Sequence, residues 1–213
     1  MSQSSKAERR AESREARVRA EHPRIGGFFL AVTEEPQSTK AWATGARGEE
    51  VLGQRLNNLV TDDVRVLHDR RVPPGRSNID HIAIGPAGVF VIDAKRYVDK
   101  RPSLRVEAGI FRPRVEKLLV GSRDETRLVE AMHKQVDRVT DVLRSGGFET
   151  VPVRGILCFL DADFPLFGGD FAVDGVDVSW PAKTAKLITR KGALDSTVIH
   201  RITAHLAAAF PSA

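Results

Sequence analysis

The feature that most restricts this chain is the stretch 78–97, in which two strand-like runs, 78–84 and 89–97, flank Gly85-Pro86-Ala87-Gly88. Glycine and proline clustered between apolar runs turn a chain, so the two runs read as a hairpin. Side chains alternate across a strand, which puts Asp93 and Lys95 on one face and turns Ala94 away. With the turn centred between Pro86 and Ala87, residues whose numbers total 173 face each other. Ile84 then meets Val89, and Asp80 meets Asp93. Directly opposed Cβ atoms lie roughly 4.5–5.5 Å apart. Two carboxylates that close repel each other and weaken a sheet. A fold retains such a pair when a shared proton, a bound cation or the neighbouring Lys95 offsets the repulsion. A hard divalent ion such as Mg²⁺ suits carboxylate oxygens best. The plainer reading of each aspartate is the cap or end of a strand.

The body of the chain starts near Thr44. Residues 45–60 read as a helix, with Leu52, Leu56 and Leu59 on one apolar stripe. A strand over 64–72 is stopped by Pro73-Pro74-Gly75. Alternating segments on either side of Ala108-Gly109 suggest a further hairpin within 104–120. Residues 125–143 form a second amphipathic helix, with Leu128, Met132, Val136 and Val139 inward and Gly146-Gly147 ending it. Residues 153–160 are almost continuously apolar, as at the centre of a sheet. A hairpin about Asp174-Gly175 follows. After it come a helix begun by Ser179, with Pro181 in its first turn, and a final helix through Ile199, Ile202 and Leu206. The expected fold is α/β (α+β), a central mixed sheet flanked by helices. Residues 1–43 are a charged N-terminal arm and connector, disordered or a solvated helix over 1–22, and 44–213 form one domain.

Two polar residues fall on apolar stripes. Glu49 lies three before Leu52 and seven before Leu56, whereas Glu50 groups with Gln54 and Asn57 on the solvated face. An acid so placed is expensive unless paired, although a first-turn acid also complements the helix dipole. Gln135 lies three after Met132 and four before Val139. A buried amide needs partners, and it either orients a water or phosphate or satisfies a backbone group.

Charge and cysteine usage bear on partners and compartment. The formal net charge is +5. Residues 1–22 hold six basic against four acidic side chains, which leaves an excess of three for everything after them. A mildly basic body fits a polyanionic partner. The single cysteine, Cys158, rules out an internal disulfide framework and points to a reducing compartment. Its apolar neighbours make it a buried, inert thiol. With no leader-like segment and no apolar run approaching the roughly 20 residues that span a bilayer, the chain is expected to be cytoplasmic and away from membranes.

Gly45-Ala46-Arg47-Gly48-Glu49, Ile79-Asp80-His81, Gly85-Pro86-Ala87-Gly88-Val89-Phe90-Val91-Ile92-Asp93-Ala94-Lys95 and the helix of Gln135 together resemble the nuclease-related domain, NERD, of the PD-(D/E)XK nuclease superfamily. The resemblance runs over roughly 44–143 by motif placement. Asp161-Ala162-Asp163-Phe164-Pro165 after the apolar strand resembles the family's continuation. Ile79 stands where the superfamily name has proline. The resemblance implies a restriction-endonuclease-like core, with Asp80 and Asp93 as ligands of Mg²⁺ or Mn²⁺. It also implies Glu49 as a further ligand or water-positioner, the Ala94 carbonyl as an added ligand and Lys95 as the catalytic lysine. The implied activity is metal-dependent hydrolysis of phosphodiester bonds, with nucleic acid, DNA foremost, as partner. The alternative is a non-catalytic nucleic-acid-binding or adaptor domain that keeps the fold.

Other constellations carry less. Asp161 and Asp163 are explained by a turn after their strand. His68, His81 and His133 lack zinc spacing, and His81 points away from Asp80. Gly168-Gly169 lacks the Lys-Ser/Thr of a phosphate loop. Arg70, Arg71 and Arg76 stand where they could grip phosphates under either reading.

Overall fold

Consecutive antiparallel strands followed by a helical crossover fix the order of the main sheet. The computed structural model describes residues 39–75, 77–109, 112–164 and 169–213. The arm and its connector, with Phe28, Phe29 and Leu30, lie outside the described residues. Strands β1 (Arg65–Arg71), β2 (Asn78–Gly85) and β3 (Gly88–Arg96) form an antiparallel meander. Helix α2 (Thr126–Ser145) returns the chain so that β7 (Val153–Leu160) lies parallel to β3. Strands β8 (Phe171–Val173) and β9 (Val176–Ser179) complete a six-stranded mixed sheet in the order β1-β2-β3-β7-β9-β8. Between β3 and α2, strands β4 (Pro102–Gly109), β5 (Arg112–Val120) and β6 (Arg123–Asp124) make a separate three-stranded sheet.

Both faces of the main sheet are covered, which is why β3 and β7 read as continuous apolar runs. Val89, Val91, Leu157 and Phe159 face α2 and α4 (Ser196–Ala209). Phe90, Ile92, Ile156 and Cys158 face Leu52 and Leu56 of α1 (Thr39–Asn57) and Ile188, which ends α3 (Pro181–Ile188). Helices on both sides of a mixed sheet give the α+β, restriction-endonuclease-like fold that the sequence leads one to expect.

The elements depart from the sequence reading at four places. Helix α1 is described from Thr39 and stops at Asn57, so it neither starts at 45 nor reaches 60. The amide of Leu59 bonds the carbonyl of Leu56 in a terminal turn instead. Ser179 does not begin α3; it ends β9 and shares a hydrogen bond with Thr184, and Trp180 occupies the cap. The β4–β5 hairpin does not turn at Ala108-Gly109. Gly109 already pairs with Arg112, and the register shifts beside Ala108. The two-residue strand β6, too short for any periodic signal, was not expected. Asp174 and Gly175, by contrast, both adopt positive φ, 46° and 80°. That is the turn a right-twisted two-residue hairpin requires.

Gly85, at the end of β2, is where the sheet meets α3: a Cβ there would run into the main-chain carbonyl of Ile188. Backbone cannot yield as a side-chain tip does, so Gly85→Ala is expected to cost about 1–3 kcal/mol. Thermal unfolding would register this as a lower midpoint. An unchanged midpoint would mean that α3 does not sit this close.

Candidate active site

The β2–β3 register is the one the turn demands. His81 faces Ile92, and Ile84 faces Val89. The ladder stops just short of Asp80 and Asp93, where the two carboxyl side chains hydrogen-bond to each other instead. Asp80 Oδ2 also accepts the Ala94 N–H at 3.1 Å. Lys95 Nζ lies 2.7 Å from Asp93 Oδ1. All three side chains are almost out of water, with relative exposures of 8% for Asp80, 3% for Asp93 and 7% for Lys95.

Burial dominates the electrostatics. It is the largest cause holding the Asp80 carboxyl well above the usual range, and the charges of Glu49 and Asp93 add to it. Burial and the neighbouring acids therefore favour the protonated form of Asp80. Burial alone would depress Lys95, but the Asp93 and Asp80 carboxylates outweigh it and hold the ammonium above its ordinary value. Glu49, from α1, belongs to the same cluster: burial first, then Asp93, pushes its carboxyl up to about 8, against a partial opposing pull from Lys95.

Sequence reasoning missed a fourth acid, Asp69, whose charge also raises Glu49. Arg70 pairs with Ile79 and His68 with His81, so Asp69 stands opposite Asp80 on the other side of β2. The turn arithmetic used for Asp93, centred between Pro74 and Gly75, would have found it. Asp69 has φ 47°, an uncommon conformation for a strand residue. The Asn78 amide holds its carboxylate at 2.9 Å, and its carbonyl accepts the Ala213 N–H at 3.0 Å. The backbone thus kinks beside the acids. Tyr97, two residues beyond Lys95, hydrogen-bonds the buried Glu125; burial and Glu125 push its hydroxyl up to about 12.

Gln135 is buried on α2 with Leu128, Met132 and Val139. Its Oε1 finds no hydrogen-bond partner among the described residues. No described contact joins it to the carboxylates. It lines a groove of about 700 Å³ between α2 and the loop 72–77, with Arg127, Lys134 and Arg138 along the rim. Arg70 and Arg71 end β1 beside this loop, and Arg76 lies outside the described residues.

The residues set aside have ordinary partners. Asp161 pairs with Arg96 at 2.7 Å, and His133 bonds the Asp174 carbonyl. His81 lies on the α1 side of the sheet against His68, with Nδ1 atoms 2.9 Å apart, and burial lowers its pKa to about 3. Burial pushes the Cys158 thiol up to about 12, an unreactive group. Among the described residues no three His, Cys, Asp or Glu side chains converge as a ready-made metal cage. What the site holds is a pair of facing carboxyls, a lysine against one member and a glutamate whose carboxyl is pushed up to about 8. These hard oxygen donors, kept together against their repulsion, fit a small divalent cation.

A six-stranded mixed sheet between helix layers places the chain in the restriction-endonuclease-like class. It belongs to the nuclease-related domain (NERD) family, whose model matches residues 44–160, from α1 to the end of β7. No curated protein and no solved structure matches it. No helix among the described residues is long and apolar enough to cross a membrane.

Glu49 gives the site a signature in stability. Its carboxyl keeps a proton up to about pH 8 in the folded chain but loses it near 4.5 when unfolded. The folded state binds more protons across that window, so its contribution to stability falls as pH rises from 4.5 to 8. In chelator-containing buffer, Glu49→Gln is expected to melt above the parent at pH 8.5, by about 2–4 °C per kcal/mol regained. At pH 4.5 the two should converge. Parallel melting curves from pH 4.5 to 8.5 would contradict the assignment.

Proposed function

We propose that this NERD-family chain is a metal-dependent nuclease that hydrolyses phosphodiester bonds in DNA. The observation that carries the reading is the buried Asp80–Asp93 carboxyl pair with Lys95 Nζ 2.7 Å from Asp93, on adjacent strands within the family-matched region. A structural ion pair would need one aspartate, not two. A second one opposite the first weakens the sheet unless a proton, the lysine or a cation offsets the repulsion, and of these a cation gives the buried pair a use.

Asp80 and Asp93 would hold Mg²⁺ or Mn²⁺, with Glu49 and the Ala94 carbonyl as further oxygen ligands. Such an ion would polarise the phosphate and lower the pKa of an attacking water. Lys95 keeps its charge at Nζ and is aimed along the same strand face, where it would stabilise negative charge developing on the phosphate. Glu49, at about 8, is mostly protonated near neutral pH and would shed that proton on binding the ion, after which its carboxylate would fix a water in place. Gln135, with its unpartnered Oε1 in the groove between α2 and residues 72–75, would position a water or a phosphate oxygen.

The test is cleavage of labelled linear, circular and single-stranded DNA in Mg²⁺, in Mn²⁺ or in chelator, beside Asp93→Asn and Lys95→Ala. Metal-dependent cutting is expected, reduced at least about 10²–10³-fold in each variant, with melting curves showing intact folding. Unchanged rates in both variants would overturn the assignment. DNA binding without cutting on any substrate would favour an adaptor that keeps the nuclease fold.

A further inference from the structure

The β4–β5 hairpin has no place in the main sheet, and its composition is unlike the rest of the chain. Residues 99–124 hold seven lysines and arginines against four acids, an excess of three. That equals the whole excess of residues 23–213, so the remainder of the body is neutral. The hairpin contributes to the core through one face only, where Leu118 and Val120 are buried. On the opposite face Arg105 stands across from Lys117, and Arg101 follows one full alternation beyond Ser103. Arg101 and Arg105 are exposed and have no ion pair among the described residues, although Arg105's charge helps lower Asp124 of β6, whereas Lys117 is bound to Glu107 at 2.9 Å.

The base of this hairpin is tied to the candidate site. β4 starts seven residues after Lys95, and the chain returns at Glu125, which Tyr97 hydrogen-bonds. Exposed cations on a ribbon rooted beside a phosphodiester site are complementary to the charge of a nucleic-acid backbone.

We propose that the β4–β5 ribbon is a phosphate-backbone arm: its Arg101–Arg105 face grips the nucleic acid flanking the site and supplies sequence-independent affinity. This rests on the nuclease reading for its partner but not for its measurement, because binding is read without turnover. In the Asp93→Asn background, with chelator, fluorescein-labelled 20-mer DNA, duplex and single-stranded, would be titrated over a series of salt concentrations. Arg101→Ser/Arg105→Ser is expected to weaken binding about tenfold or more and to lower the slope of log K against log salt by about two. Arg105→Glu alone, a change at one exposed position, is expected to act in the same direction. Arg190→Ser/Lys191→Ser, at the far end of the sheet beside the β2–β3 turn, removes the same charge and should leave affinity and slope unchanged. If the ribbon variants bind with parental affinity and slope, or if the parent binds no DNA, the arm is refuted. Cutting by the wild-type chain alongside unaffected ribbon variants would refute the arm alone. Absence of cutting alongside a lost slope would refute the nuclease and keep the arm.

Discussion

Repulsion between Asp80 and Asp93 is the constraint on which the rest of the site depends. Two carboxyls enclosed at 8% and 3% exposure stay together with Asp80 pushed toward its protonated form and Lys95 against Asp93. The geometry that forces this is covalent in origin: Gly85 and Gly88 close β2 onto β3 as facing partners and so set the register. A slip of one residue would turn Asp93 and Lys95 to the α1 face and bring Ala94 and Arg96 into their place. The apolar neighbours Ile82, Ile84, Val89 and Val91 prevent the slip, since it would reverse their faces as well.

Strain and unpaired polarity gather at this end of the sheet. Asp69 leaves the strand conformation opposite Asp80, and α1 brings Glu49 close enough for its carboxyl to respond to Asp93 and Asp69. Gln135, on α2, keeps a buried oxygen without a partner among the described residues. Each feature alone costs stability. Asp69, Asp80, Asp93 and Glu49 gather at one end of the sheet, while the other end is closed by tight glycine contacts at Gly85 and Gly88.

Much of this was legible in the sequence, for identifiable reasons. The hairpin register followed from turn length, and period-two alternation then placed Asp80, Asp93 and Lys95 on one face. Glu49 and Gln135 were visible as polar residues on apolar stripes. The Asp174-Gly175 turn was legible because only certain residues accept positive φ at both positions. What escaped was set by tertiary contact. Asp69, by contrast, was within reach of the same turn arithmetic, which places it opposite Asp80. The cap of α3 moved because β9 takes up Ser179 in its pairing with Cys158. The bulge at Ala108 displaced a turn that glycine seemed to mark, and nothing in the two residues of β6 carries a period.

The proposed activity requires the acid cluster to exchange protons for a divalent cation. Calorimetric titration of the chain with Mn²⁺ at pH 7, in two buffers of different ionisation enthalpy, tests it without any substrate. If Asp80 and Glu49 surrender protons as the ion binds, the apparent enthalpies will differ by an amount that corresponds to release of about one proton or more per ion. Asp80→Asn should abolish both the binding and the difference. Binding with equal enthalpies in the two buffers, or heats that survive in Asp80→Asn, would contradict it.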